Sequence, residues 1–204
     1  ADIDKSTHNG HTPLHCSVEQ GNEKIVELLL NNGADVDAVE KHGQTALFYA
    51  ARKGQTGIVN TLIKARADID KSDNQDLTPL YIAAYKGNVE SVKELLAARA
   101  NIDKSDHNGH TPLHCAAEQG HENVVRILLD NGASIYVKDK QGQTALIHAS
   151  REGRENVVKI LLGKDASIDA IDNLGFTALY SAARKGQTGI VNTLIKARAD
   201  IDKS

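Results

Sequence analysis

GHTPLHCSVEQGNEKIVELLLNNGADV, residues 10–36, decides the fold. Thr12 has the side chain of a helix N-cap, an oxygen that accepts from the first free backbone N–H groups. Pro13 follows at the first helical position, where its missing N–H removes nothing. Leu14 and Val18 place apolar groups four residues apart on a short helix that ends near Gly21. Asn22 and Glu23 open a second helix, and Ile25, Val26, Leu28, Leu29 and Leu30 are expected to form its apolar face. Gly33 then supplies a residue able to turn left-handed and end it. Residues 34–43 lack helical periodicity and read as an extended excursion with a tight turn. One unit is therefore helix, turn, helix, hairpin loop, and neither helix is long enough to stand alone in water.

The phrase recurs every 33 residues, opened by Thr12, Thr45, Thr78, Thr111, Thr144 and Thr177. The period divides the chain into a partial leading hairpin at 1–8 and repeats at 9–41, 42–74, 75–107, 108–140, 141–173 and 174–204. A fixed period of this length means a solenoid in which each unit buries its apolar face against its neighbours. A second level of repetition lies above it. Residues 45–72 and 177–204, four repeats apart, differ only at Phe48/Tyr180 and Tyr49/Ser181. Repeats 1 and 4 share HNGHTPLHC, and ADIDKS stands at both ends of the chain. Duplication within a longer array explains this, and the chain is expected to continue past Ser204. Ile190, Val191, Leu194 and Ile195 copy the residues that repeat 2 uses internally. The last helix is therefore expected to present an uncapped apolar face and to support weak end-to-end self-association.

These phrases resemble the ankyrin repeat family. The family's G-x-T-P-L-H stands intact at Gly10–His15 and Gly109–His114, and its second-helix phrase at 24–36 and 123–135. The resemblance covers essentially the whole chain. It implies an all-α solenoid of stacked helix-turn-helix units joined by hairpin loops. It also implies a non-enzymatic protein–protein interaction scaffold. The family's histidine resembles a structural residue that ties adjacent loops by hydrogen bonds. Phe48, Tyr81, Ile147 and Tyr180 replace it in four repeats, which predicts more apolar junctions there. The turn glycine of repeat 3 is Asp76, and the glycine after the second helix is Arg66, Arg99, Asp165 and Arg198 in four units. A non-glycine residue held left-handed costs about 1–2 kcal/mol, so these units are expected to be the weaker ones.

Composition narrows the function classes. The net charge of −3, dispersed along the chain, argues against a nucleic-acid binder, which needs a basic stripe. No apolar run approaches the ~20 residues of a membrane span. Cys16 and Cys115 occupy one position in repeats 1 and 4. Layers at roughly 10 Å would set them about 30 Å apart, too far for a disulfide. Free thiols fit a reducing compartment, and a cytoplasmic location is expected.

The constellations that suggest chemistry dissolve on inspection. His8, His11, His15 and Cys16, with their copies His107, His110, His114 and Cys115, are close in sequence. They lack the paired spacing of a structural zinc site, and no metal or other cofactor is expected. Residues 70–76 alternate oxygens like a calcium loop, but Gln75 stands where glycine is needed and Tyr81 where glutamate is needed. GQTG at 54–57 and 186–189 lacks the Lys-Ser/Thr of a phosphate loop. A nucleophile at Cys16 or Cys115 would need a convergent base and an orienting group, and the cysteine position reads as a packed, buried thiol.

In ankyrin-like proteins partners commonly lie on the concave side, along loop tips and first helices. Transferred to this chain, that surface offers Arg52 and Lys53 in repeat 2, and Leu77, Tyr85 and Lys86 in repeat 3. In repeat 6 it offers Leu174, Phe176, Arg184 and Lys185. Aromatic and arginine side chains on a polar surface have the form of interface anchors. The expected partner is a protein or peptide, acidic or acidic-aromatic, docked along repeats 2 and 3. Two other readings stand beside this one: a spring-like architectural solenoid, and a substrate-recruiting arm for a catalytic domain outside this chain.

Overall fold

The computed structural model describes residues 2–197, as helices and turns with no strand among them. The described residues form two compact units, divided between residues 101 and 102. The first holds α1 (Pro13–Glu19), α2 (Glu23–Asn31), α3 (Ala46–Lys53), α4 (Thr56–Lys64), α5 (Pro79–Lys86) and α6 (Val89–Ala97). The second holds α7 (Pro112–Gln119), α8 (Glu122–Asp130), α9 (Ala145–Arg151), α10 (Glu155–Leu162), α11 (Ala178–Arg184) and α12 (Thr188–Lys196). Within each unit the first helices of successive repeats stack on one another, as do the second helices, and each first helix packs on its own second helix. This is an all-α solenoid of helix-turn-helix layers. No described helix is long and apolar enough to cross a membrane.

Each first helix starts on the repeated threonine. In all six, the threonine is extended and its side chain accepts the backbone N–H three residues on, as Thr12 does from His15. The buried faces are aliphatic. Leu47, Leu62, Leu80, Leu95, Leu113, Leu128, Leu146 and Leu161 are all 2% exposed or less. The buried alanines Ala50, Ala51, Ala83, Ala84, Ala116 and Ala117 let neighbouring helices approach closely.

Loop tips are joined by backbone hydrogen bonds at 2.9 Å, from Lys41 N to Asn9 O and Asn74 N to His42 O in the first unit. Lys140 N to Asn108 O and Asn173 N to Gln141 O repeat the arrangement in the second. The histidine of the opening phrase adds a second tie where it is present. His15 Nε2 lies 3.0 Å from Gln44 O and His114 Nε2 3.2 Å from Gln143 O. Phe48 and Ile147 are buried instead, so those two junctions are apolar as expected; Tyr81 is buried and Tyr180 half-buried, and each carries a phenol hydroxyl.

Arg66, Asp76, Arg99 and Asp165 all adopt φ between 61° and 66°. Three helix ends and, at Asp76, one loop turn have kept the left-handed geometry of the missing glycines. Arg198 lies outside the described residues.

Three expectations are corrected. On α2, Val26 is buried, but Ile25 and Leu28 are 47% and 62% exposed, because the helices packed on α2 are α1 and α4 and these two side chains face away from both. On α12, Ile190 and Leu194 are buried against α10 and α11, so its exposed apolar surface shrinks to Ile195 and part of Val191. Cys16 is exposed rather than packed, since α1 is the first described helix and no helical layer precedes it. Cys115 at the same repeat position is buried, and burial raises its thiol pKa well above the ordinary value.

The strained helix ends give a stability test. Arg66→Gly and Arg99→Gly should each raise stability by about 0.5–1 kcal/mol, the relief of left-handed strain less the added freedom of glycine in the unfolded chain. Urea unfolding of each variant against the parent measures this.

Candidate functional site

The proposed contact residues fall into two groups. In the first unit, α3 carries Arg52 and Lys53 at its C-terminal end, and both already have partners. The Arg52 guanidinium sits 4.5 Å from the centre of the Tyr49 ring and 3.5 Å from Gln44 Oε1. Lys53 Nζ donates to Glu19 O at 2.6 Å. Lys86 Nζ lies 5.2 Å from the centre of the exposed Tyr85 ring, and Leu77 is half-buried. Arg52 and Lys53 are thus engaged within their own repeats.

In the second unit, Leu174, Phe176, Arg184 and Lys185 converge on one depression of about 430 Å³ between α9 and α11. Tyr180, Arg151 and Asp172 complete its walls. Phe176 and Tyr180 stack with ring centres 4.1 Å apart and planes 16° from parallel. Leu174 projects at the rim and is 75% exposed. Asp172 is fully occupied: its Oδ1 accepts the Leu174 and Phe176 N–H groups at 2.9 Å, and its Oδ2 accepts Gln143 Nε2 at 3.3 Å. The side chains of Arg184 and Lys185 are exposed and make no direct hydrogen bond or ion pair among the described residues. Lys185 adds a longer-range pull that helps hold the Glu152 carboxyl below its ordinary range, behind the larger effect of the Arg151 hydrogen bond.

Beneath this depression runs a polar network that joins repeats 4 and 5. Arg151 donates to Gln143 Oε1 at 2.6 Å, to Glu152 Oε1 at 2.8 Å and to Glu118 Oε1 at 3.2 Å. The same guanidinium reaches His148 Nδ1 at 3.1 Å. His148 Nε2 is 2.8 Å from Asp139 Oδ2, and His110 Nε2 is 3.2 Å from the same oxygen. An acceptor Nδ1 facing Arg151 and a donor Nε2–H facing Asp139 define a neutral imidazole. Burial is the main cause that pulls the His148 pKa down to about 4, against the opposing bond from Asp139. Asp139 stays below its ordinary value: burial pushes it up, but the His148 bond and the Gln143 N–H outweigh that.

Sequence reasoning had grouped His107, His110, His114 and Cys115 by proximity. The fold instead joins His110 to Asp139 at the end of its own repeat and to His148 of the next. The missed signal was periodic: a carboxylate recurs at Glu40, Asp73, Asp106, Asp139 and Asp172, and each accepts backbone N–H groups two and four residues on.

Stacked helix-turn-helix layers, threonine caps and hydrogen-bonded loop tips define a repeat protein whose variable side chains sit on a constant frame. A family model described as ankyrin repeats (3 copies) matches residues 1–73, 58–139 and 131–204. The chain belongs to the ankyrin repeat family, a fold generically used as a protein–protein interaction scaffold, and this assignment agrees with a non-enzymatic protein. Comparison with curated proteins gives no match.

Neutral His148 makes stability depend on pH. The unfolded chain protonates this residue near 6.5, whereas the folded chain resists until about 4. Its contribution is therefore complete above pH 6.5 and is lost as pH falls toward 4, by roughly 3 kcal/mol. Urea melts at pH 7, 6, 5 and 4 should show this slope, and His148→Tyr should reduce it, leaving the part that comes from His15 and His114, which burial also lowers.

Proposed function

We propose that this chain is a protein-binding scaffold that holds an acidic segment of its partner in the depression between α9 and α11. The observation that carries this reading is the pair of cations Arg184 and Lys185, exposed and without direct partners, beside a stacked aromatic pair and the exposed Leu174. An aromatic platform buries apolar area at small entropic cost, and unpaired cations beside it attract a carboxylate. The partner segment then carries Asp or Glu next to an aliphatic or aromatic side chain. The surface of repeats 2 and 3 is the subsidiary contact, through Tyr85 and Lys86, because Arg52 and Lys53 are already engaged. The free thiols Cys16 and Cys115 support a reducing compartment such as the cytoplasm.

A displayed library of short unstructured peptides, sorted on the immobilised chain, tests this. Enrichment of acidic residues beside an apolar one is expected. The charge-reversed variant Arg184→Glu/Lys185→Glu should weaken the selected peptide about tenfold or more, about 1.4 kcal/mol. Arg52→Glu/Lys53→Glu should have a smaller effect. Enriched peptides that are basic, or that bind the Arg184/Lys185 variant as well as the parent, would contradict the proposal.

A further inference from the structure

We infer that His110, Asp139 and His148 form a binding site for a divalent transition ion of the zinc class, held by three protein ligands with one position open. The three donor atoms lie within 4.8 Å of one another. His110 Nε2 and His148 Nε2 stand 3.2 and 2.8 Å from Asp139 Oδ2. A tetrahedral ion with bonds of about 2.0–2.1 Å requires donors separated by about 3.3–3.4 Å, so the two His–Asp pairs need open by about 0.1–0.6 Å, and the two imidazole nitrogens, within 4.8 Å of each other, must settle at the same spacing. Two imidazoles and a carboxylate are the donor set that suits zinc and its neighbours.

The surroundings orient the donors toward a common point. Asp139 Oδ1 is fixed by the Gln141 and Gln143 N–H groups at 2.9 and 2.8 Å, which aims Oδ2 at the two rings. His110 Nδ1 is 3.4 Å from Asp106 Oδ2, the carboxylate–imidazole arrangement that fixes the tautomer of a metal-binding histidine. Asp139 and His148 are buried, while the His110 side chain is 23% exposed and gives the ion a route in. His114 is close by but is no ligand: Thr111 Oγ1 occupies its Nδ1 at 2.8 Å and Gln143 O its Nε2 at 3.2 Å. Water completes the coordination.

One contact opposes the ion and makes the proposal sharper. An ion at His148 Nε2 displaces the proton there, and the neutral ring then carries its proton on Nδ1. That N–H would face the Arg151 Nη2 donor now 3.1 Å away. Arg151 must turn aside, against the bonds to Gln143, Glu152 and Glu118 that hold its planar guanidinium in place. Removing this guanidinium should therefore strengthen binding.

The chain also contains its own control. In repeats 1 and 2 the matching residues are His11, Glu40 and Tyr49, and Tyr49 Oη simply hydrogen-bonds His11 Nε2 at 3.1 Å. His148→Tyr recreates that arrangement and keeps a side chain this fold accommodates at Tyr49.

Co(II), added to the full chain and then displaced by Zn(II), is the probe, because its visible absorption distinguishes four-coordinate from aqueous ions. The parent should bind one equivalent with an intense four-coordinate band. His148→Tyr and Asp139→Asn should each lose that band and weaken binding more than about 100-fold, beyond the usual effect of a supporting residue. Arg151→Gln, whose amide oxygen can accept the Nδ1–H, should tighten it on the order of tenfold. An unchanged band and affinity in His148→Tyr would place the ion on other histidines and overturn the inference. So would absence of a four-coordinate band in the parent, or weaker binding in Arg151→Gln.

Discussion

Helices of seven to nine residues do not persist alone in water, and everything else in this structure follows from that. Each helix must cover its apolar face with a neighbour, and the neighbour must be another copy of the same short unit. The aliphatic interior, the small alanines and the 33-residue period are consequences of one requirement: every layer must fit the next. The threonine caps and loop-tip hydrogen bonds set the register, and burial of the leucines supplies the stability.

A frame with this redundancy tolerates local departures. Arg66, Asp76, Arg99 and Asp165 hold left-handed backbone that glycine would hold with less strain, and the helices still end in the same geometry. Junction chemistry varies as well. The position after the opening phrase is Cys16, Tyr49, Ile82, Cys115, His148 and Ser181 in turn. In one place it gives a tyrosine–histidine hydrogen bond, and in another a buried histidine held between an arginine and an aspartate. The same scaffold position thus produces inert packing or a polar network, depending on one side chain.

The helices, caps and turns were legible because each rests on local chemistry repeated six times. Thr12 before Pro13, and Gly33 after a run of leucines, need no tertiary information. Exposure was less legible, because it depends on which neighbours lie on each face. Ile25 and Leu28 have the same character as buried leucines and yet face outward, and Cys16 differs from Cys115 for the same reason. The His110–Asp139–His148 cluster could not be found by proximity along the chain, since its members lie 29 and 9 residues apart; it emerges only when consecutive loop tips are superposed. The convergence of Leu174 and Phe176 with Arg184 and Lys185 was partly visible, as loop tip and helix end of one repeat. Their stacking and the room beside them were not, because side-chain direction decides both.

No layer in this structure holds its fold without its neighbours. Amide hydrogen exchange on Leu146→Ala tests it directly, since this side chain is 2% exposed in the middle layer of the second unit. The substitution should remove about 2–5 kcal/mol. Protection should fall together in α7 to α12, flanking repeats included. Faster exchange confined to α9 and α10, with α7, α8, α11 and α12 as protected as in the parent, would show layers that stand independently and would contradict the account.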